Sequence, residues 1–408
     1  MKLPHSFAYG LSVLALSMSA FAADVYAPKP DPLQGDGRVS AFYTWEKAIP
    51  AIPGKLLRSE PLDKTISLAN AASAQRILYT STDGIDNKTP VVVSGALFLP
   101  KGTPPAGGWP VASWGHGTVG VADVCAPSWQ GRSYRDVAYL NRWLAEGFAV
   151  VATDYQGLGV PGGHPLLNSR MAAYGILDAA KAVVAGVPGL ADKVLIVGQS
   201  QGGAGAFAAA AYAATYAPDL GVKGSIGTGV IYTLDYAKNP SEEVRNKVDP
   251  TLAYGFYTLL AAQQYDPSIN PAEFYTDKAL PIFEQARTSC LFALEGDVEG
   301  LGLSIANTKK DYKGKQLAPW LAQVAYPTLK TSKPVFIGTG AEDVTPAAAT
   351  QVKLMQDACN AGSVVEGHLY KGLGHSATVN ASLKDSIPFA HKVINDQPIT
   401  PVCAPTAQ

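Results

Sequence analysis

The chain has 408 residues, 47% of them hydrophobic and 16% charged, with a formal net charge of −1. That is enough apolar material for a large core and too little charge for a disordered chain. No basic face or arm of the kind that binds nucleic acid is present. Beyond the first 23 residues no apolar run reaches the 18 residues of a membrane span.

Residues 1–22 read as an export signal. Lys2 is the only charge before Asp24, Phe7 to Leu16 is mostly apolar, and Ala20-Phe21-Ala22 is a small-x-small cleavage site. The expected location is therefore secreted or periplasmic, with cleavage near Ala22. A membrane anchor is the competing reading, and the apolar run is short for one. Export would put Cys125, Cys290, Cys359 and Cys403 in an oxidising compartment. There an even count predicts two disulfides, with three connectivities open. No CxxC or Cys/His cluster suggests zinc, and free buried thiols are the alternative.

Residues 23–60 are Pro-rich and read as an irregular arm on the surface. Strands are predicted at 76–80, 91–99, 111–114, 148–153, 194–197, 335–337 and 364–370. Helices are predicted at 133–146, 169–186 and 202–216. Apolar strands alternating with helices indicate a mostly parallel sheet covered on both faces. Residues 232–330 break that rhythm. They are dense in aromatics, among them Tyr254, Phe256, Tyr257, Phe274, Tyr275 and Trp320, and look helical. The expected division is a core of 23–231 and 331–408 interrupted by a helical insertion at 232–330.

Gly198-Gln199-Ser200-Gln201-Gly202 follows the strand at 194–197 and opens a helix rich in Gly and Ala. That is the context of a nucleophile elbow: small residues clear the tight turn, and the serine hydroxyl stands proud of the sheet. Serine needs a base held by an acid, and on this kind of sheet the chain order is Ser, acid, His. Of the six histidines, His5, His116 and His164 precede Ser200, and His391 lies in a terminal helix. His368 falls inside a strand. His375, in the Gly-rich loop Gly372-Leu-Gly-His375 at a strand end, is the favoured base. Asp343, just beyond the strand at 335–337, is the favoured acid, with its neighbour Glu342 as the alternative. The oxyanion donors are expected to be the N–H of Gln201 and that of Thr118 or Gly117, in the loop after the strand at 111–114. Asp154-Tyr-Gln-Gly-Leu-Gly159 also follows a strand and reads either as a rim of the site or as a structural turn.

Taken together, His116-Gly-Thr with Cys125-Ala-Pro-Ser, Asp154-Tyr-Gln-Gly-Leu-Gly, Gly198-Gln-Ser-Gln-Gly-Gly, Asp343 and Gly374-His375 resemble the secretory lipase family of α/β-hydrolases. The resemblance spans roughly residues 60–400. It implies a triacylglycerol lipase or carboxylesterase whose helical lid lies between nucleophile and acid, where residues 232–330 fall. It also implies disulfides Cys125–Cys290 and Cys359–Cys403. In the family's yeast type enzyme an acidic residue near the first cysteine serves the oxyanion hole. The corresponding stretch here, Gly120-Val-Ala-Asp-Val-Cys125 after His-Gly-Thr, departs from that pattern.

The expected activity is thus ester hydrolysis through an acyl-enzyme on Ser200, without metal or cofactor. The expected partner is a small-molecule or lipid ester, with transient contact at a lipid interface. Two other readings use the same fold: a serine peptidase or amidase, and an inactive binding protein. The aromatics of 232–330 are expected to cap the serine and line an acyl pocket, the plainer alternative being that they only hold the insertion's helices together.

Overall fold

The apolar runs become the centre of a nine-stranded sheet in the computed structural model, which describes residues 35, 37–232, 240–312 and 314–408. The proposed export signal lies outside the described residues. The strands are β1 (Leu56–Pro61), β2 (Ala71–Thr82), β3 (Pro90–Pro100), β4 (Trp109–Gly115), β5 (Ala149–Thr153), β6 (Leu190–Gln199), β7 (Val222–Thr228), β8 (Val335–Gly340) and β9 (Val365–Tyr370). Their order across the sheet is β1-β2-β3-β5-β4-β6-β7-β8-β9. The pairs β1–β2, β2–β3 and β3–β5 are antiparallel, and the rest are parallel. This is the mostly parallel sheet that the alternation of strands and helices predicts, in keeping with the α/β-hydrolase fold that the family resemblance implies.

Both faces of the sheet are covered because successive strand side chains point opposite ways. On β6, Leu195 and Val197 pack with Trp143, Phe389 and Val393, from helices Tyr134–Ala145 and Leu383–Ile394. Val194 and Ile196 face the other way, toward the helices Ser169–Gly186 and Gln201–Tyr216. Those two helices meet the sheet mainly through alanines such as Ala172, Ala179 and Ala208. Asn168 and Ser133 each cap a flanking helix by accepting an N–H, from Met171 and Asp136 respectively.

Two strands have no counterpart in the sequence reading. β1 begins within the Pro-rich stretch taken as an irregular arm. β7, Val-Lys-Gly-Ser-Ile-Gly-Thr, lacks an apolar run because its neighbours press close. A Cβ at Gly224 would lie 3.0 Å from Val393 Cγ2, and one at Gly227 would lie 2.7 Å from Val230 Cγ2.

Between β7 and β8 the described chain is helical, with its longest helices at Leu252–Gln263 and Leu291–Gly300. Phe256, Tyr257, Tyr275, Phe283 and Trp320 are buried in one cluster with Leu260 and Leu294. Phe256 and Tyr257 are 0% exposed, and the Tyr257 hydroxyl donates to Ser289 O. The expectation that these aromatics line an acyl pocket is corrected for Phe256 and Tyr257: they hold the insertion's own helices together. A segment this size needs its own apolar core to stay ordered, and the aromatics supply it.

The insertion is fastened to the loops at the C-terminal edge of the sheet. Cys290 is bonded to Cys125, Leu291 N–H donates to Val119 O, and Trp320 Nε1 donates to Leu166 O. A second disulfide, Cys359–Cys403, ties the C-terminal tail to the helix Ala348–Asn360. Among the described residues no helix is long and apolar enough to cross a membrane.

Candidate active site

Ser200 stands between β6 and the helix Gln201–Tyr216 with φ 58° and ψ −118°. A non-glycine residue at positive φ is strained, and the surroundings hold it there. The Ser200 N–H donates to Thr228 O on β7, and Ser200 O accepts from Ala204 N–H in the helix. The flanking glycines are required by contact. A Cβ on Gly198 would fall on the Gly202 carbonyl, and one on Gly202 would fall on the Gly115 carbonyl. The Gln201 N–H lies in the first turn of its helix, where no intrahelical acceptor exists. It stands at the positive end of the helix dipole, where negative charge is favoured.

Two further strand ends bring a carboxylate and an imidazole to the same edge. Asp343, just past β8, is buried, whereas Glu342 beside it is exposed. Asp343 Oδ2 accepts from His375 Nδ1 at 2.9 Å and from Gln351 Nε2 at 2.9 Å, and Oδ1 accepts from Thr345 N–H at 2.9 Å. His375, five residues past β9, therefore carries its proton on Nδ1 and presents Nε2 as an acceptor. His368 stays within β9, near Glu366 and Asp385, and His391 faces Glu146.

The loop after β4 passes against the elbow. A Cβ on Gly117 would collide with Gln199 Oε1 and come within 3.4 Å of Ser200 Cβ. A side chain at position 117 would have to displace the end of the Gln199 amide. Thr118 Oγ1 donates to Gln201 Oε1 at 3.2 Å, and Gln201 Nε2 donates to His164 Nε2 at 3.1 Å. His164 Nδ1 in turn donates to Gln156 O at 2.8 Å. Burial pushes the His164 pKa down to about 4, so the ring is neutral and can accept from Gln201 at Nε2. His116 is buried against Tyr155, and burial lowers its pKa as well. Its Nδ1 turns to its neighbour's carbonyl, Gly117 O, at 2.6 Å.

Two acidic motif residues are used to hold backbone. The buried Asp154 carboxylate accepts from the hydroxyls of Ser94 and Ser128 and from the Ser128 N–H. That arrangement makes residues 154–159 a structural turn. Asp123, the acid near Cys125, accepts the N–H of Gly37 at 2.6 Å. Among the described residues no group of three or more His, Cys, Asp or Glu could hold a metal ion.

Three residues at this edge escaped the sequence reading. Gln199 is buried, and its Nε2 lies 2.9 Å from His375 Nε2. Arg135, at the start of the helix Tyr134–Ala145, donates from Nη2 to Gln199 Oε1 at 2.9 Å. Gly229, with φ +58°, lies under the imidazole, where an added Cβ would sit 2.5 Å from Cε1 and 2.8 Å from Nδ1. Gln199 was legible as the first variable position of the elbow motif, whereas nothing local marks Arg135 or Gly229. Replacing Gly229 by Ala is expected to push the imidazole out of line. A displacement of about 1 Å can cost on the order of 10² in rate. Steady-state kcat on a soluble ester, with the thermal midpoint as a control for folding, checks this, and an unchanged kcat would mean that the ring has room to spare.

No curated protein matches the chain. The structure is similar to lipase A of Candida antarctica in its closed state, with a TM-score of 0.69 and 18% identity over 93% of this chain and 89% of that one. It is also similar to a rice cell wall degrading esterase of Xanthomonas oryzae, with a TM-score of 0.65 and 20% identity over 85% of this chain and 100% of that one. At those identities the likeness establishes the fold. The family itself is established by sequence, since the secretory lipase family matches residues 133–399, a span that begins beside Arg135 and takes in the elbow, Asp343 and His375. The chain belongs to the secretory lipase family.

Proposed function

We propose that the protein is an exported serine hydrolase of carboxylic esters, a lipase or carboxylesterase, with Ser200 as nucleophile. The observation that carries this reading is the strained Ser200 at the head of its helix, on the same sheet edge as the His375–Asp343 pair at 2.9 Å. In the proposed reaction His375 Nε2 takes the Ser200 proton as Oγ bonds to the ester carbonyl carbon. The Asp343 carboxylate holds the tautomer and stabilises the imidazolium. The carbonyl oxygen becomes an oxyanion, met by the Gln201 N–H and, as second donor, the N–H of Thr118 or Gly117. The His164–Gln201–Thr118 chain supports that second donor by fixing the Thr118 side chain against the elbow. Collapse breaks the C–O bond, and the imidazolium gives its proton to the leaving alcohol. Water then repeats the sequence on the acyl-enzyme and releases the acid. The insertion acts as a lid in this reading, supported by its attachments to the loops at 119–125 and 164–168.

A panel of nitrophenyl esters from acetyl to palmitoyl, run beside dipeptide amides, tests the proposal. Each buried methylene contributes at most ~0.8 kcal/mol, about fourfold in kcat/KM. Efficiency should rise over the first few carbons and then level off as the acyl site fills. Amides should be turned over far more slowly. Comparable rates on amides would favour a peptidase. A flat ester profile would remove the acyl site from the proposal.

A further inference from the structure

The base in this site faces a competitor for its lone pair. His375 Nδ1 donates to Asp343, so Nε2 has a single lone pair to offer. That lone pair is directed at the side-chain amide of Gln199, whose Nε2 lies 2.9 Å away. The orientation of the amide follows from its other end. Gln199 Oε1 meets Arg135 Nη2 at 2.9 Å, and a guanidinium can only donate. The oxygen must therefore face Arg135 and the N–H must face the imidazole. Gln199 is 1% exposed, so water does not replace the bond if the amide turns away. Arg135 is itself held in place, by Asp136 Oδ1 at 2.8 Å on Nε and by Ser376 Oγ at 3.3 Å on Nη1.

We propose that Gln199 and Arg135 form a latch on the base: Arg135 is a positioning residue that holds the Gln199 amide on His375 Nε2, and the amide must yield that nitrogen before Ser200 can be deprotonated. The inference rests on the proposed role of His375 as the base for Ser200. Two physical consequences follow. The Ser200 hydroxyl competes with the amide N–H for one lone pair, which slows acylation. Once Nε2 is protonated it faces another donor, and Arg135 resists the rotation of the amide that would relieve this. The pair thus sets how available the base is, without touching the reacting ester atoms.

The test uses the full-length protein and the variants Gln199→Met, Arg135→Met, Arg135→Lys and the double methionine variant. Met is close to Gln in length and has no N–H. The readouts are the rate of Ser200 labelling by a fluorophosphonate, kcat/KM on nitrophenyl butyrate, and the thermal midpoint. In labelling, Ser200 Oγ bonds to phosphorus, fluoride leaves, and the serine proton passes to His375. Gln199→Met is expected to raise the labelling rate roughly three- to tenfold, the factor for releasing one neutral hydrogen bond. Arg135→Met should move it in the same direction by less, and the double variant should match Gln199→Met, because Arg135 acts only through the amide. Arg135→Lys, which keeps a cation near Oε1 on a shorter stem, should fall between the wild-type and Arg135→Met rates. A merely structural pair would lower both the rate and the midpoint. Labelling that is unchanged or slower in Gln199→Met at a preserved midpoint overturns the latch, as does full additivity in the double variant. Should Gln199→Met fail to fold, the direction of change in the partly exposed Arg135→Met decides. Wild-type protein that is not labelled at Ser200 at all would instead sink the hydrolase reading. Labelled wild type with unmoved variants removes the latch alone.

Discussion

Replacing Ser200 by Ala is expected to reduce ester hydrolysis by on the order of 10³-fold or more with the fold intact. The change removes only a hydroxyl from a partly exposed turn. The backbone bonds that hold the elbow, Ser200 N–H to Thr228 O and Ala204 N–H to Ser200 O, do not involve that hydroxyl. His375→Ala should lose a comparable amount, and the double variant little more. A base without its nucleophile, or a nucleophile without its base, leaves the same residual catalysis from oxyanion donors and binding. The measurement is kcat/KM on nitrophenyl butyrate, with circular dichroism to confirm folding. Near-normal turnover in Ser200→Ala would take the elbow out of the chemistry.

Removing the Cys125–Cys290 disulfide should cost about 2–5 kcal/mol of stability. The two cysteines are 165 residues apart in sequence, so the bond closes a long loop in the unfolded chain. In the folded chain it joins the loop after β4 to the insertion, beside the Leu291 N–H bond to Val119 O. A Cβ at Gly120 would lie 2.9 Å from Cys125 Sγ, so the loop is packed directly on the bridge. Activity should therefore fall along with stability in the Cys125→Ser, Cys290→Ser variant, because that loop carries Gly117 and Thr118, the proposed second oxyanion donors. Urea unfolding of this variant, together with peptide mapping of the wild-type protein without reduction, checks the claim. Free thiols, or a Cys125–Cys359 peptide, would reject this connectivity.

Features set by local pattern were legible in the sequence alone. The apolar strands and amphipathic helices carry their own periodicity, so the parallel core around β4, β5, β6, β8 and β9 could be read from them. The elbow is local too, because its turn demands small residues at Gly198 and Gly202. What the sequence does not encode locally is proximity between distant segments. β7 is built from small residues because Val393 and Val230 press on it, and those contacts exist only after folding. The aromatics of the insertion look the same in sequence whether they line a pocket or pack on one another; burial placed Phe256 and Tyr257 in the insertion's own core. Asp343 and Glu342 are equivalent as neighbouring carboxylates, and the turn after β8 buries one beside His375 and leaves the other in water. Arg135 lies 64 positions before Gln199, and Gln199 lies 176 before His375. Their hydrogen bonds join three elements that only the packed sheet brings to one edge, which is why the surroundings of the His375 imidazole were decided by tertiary structure.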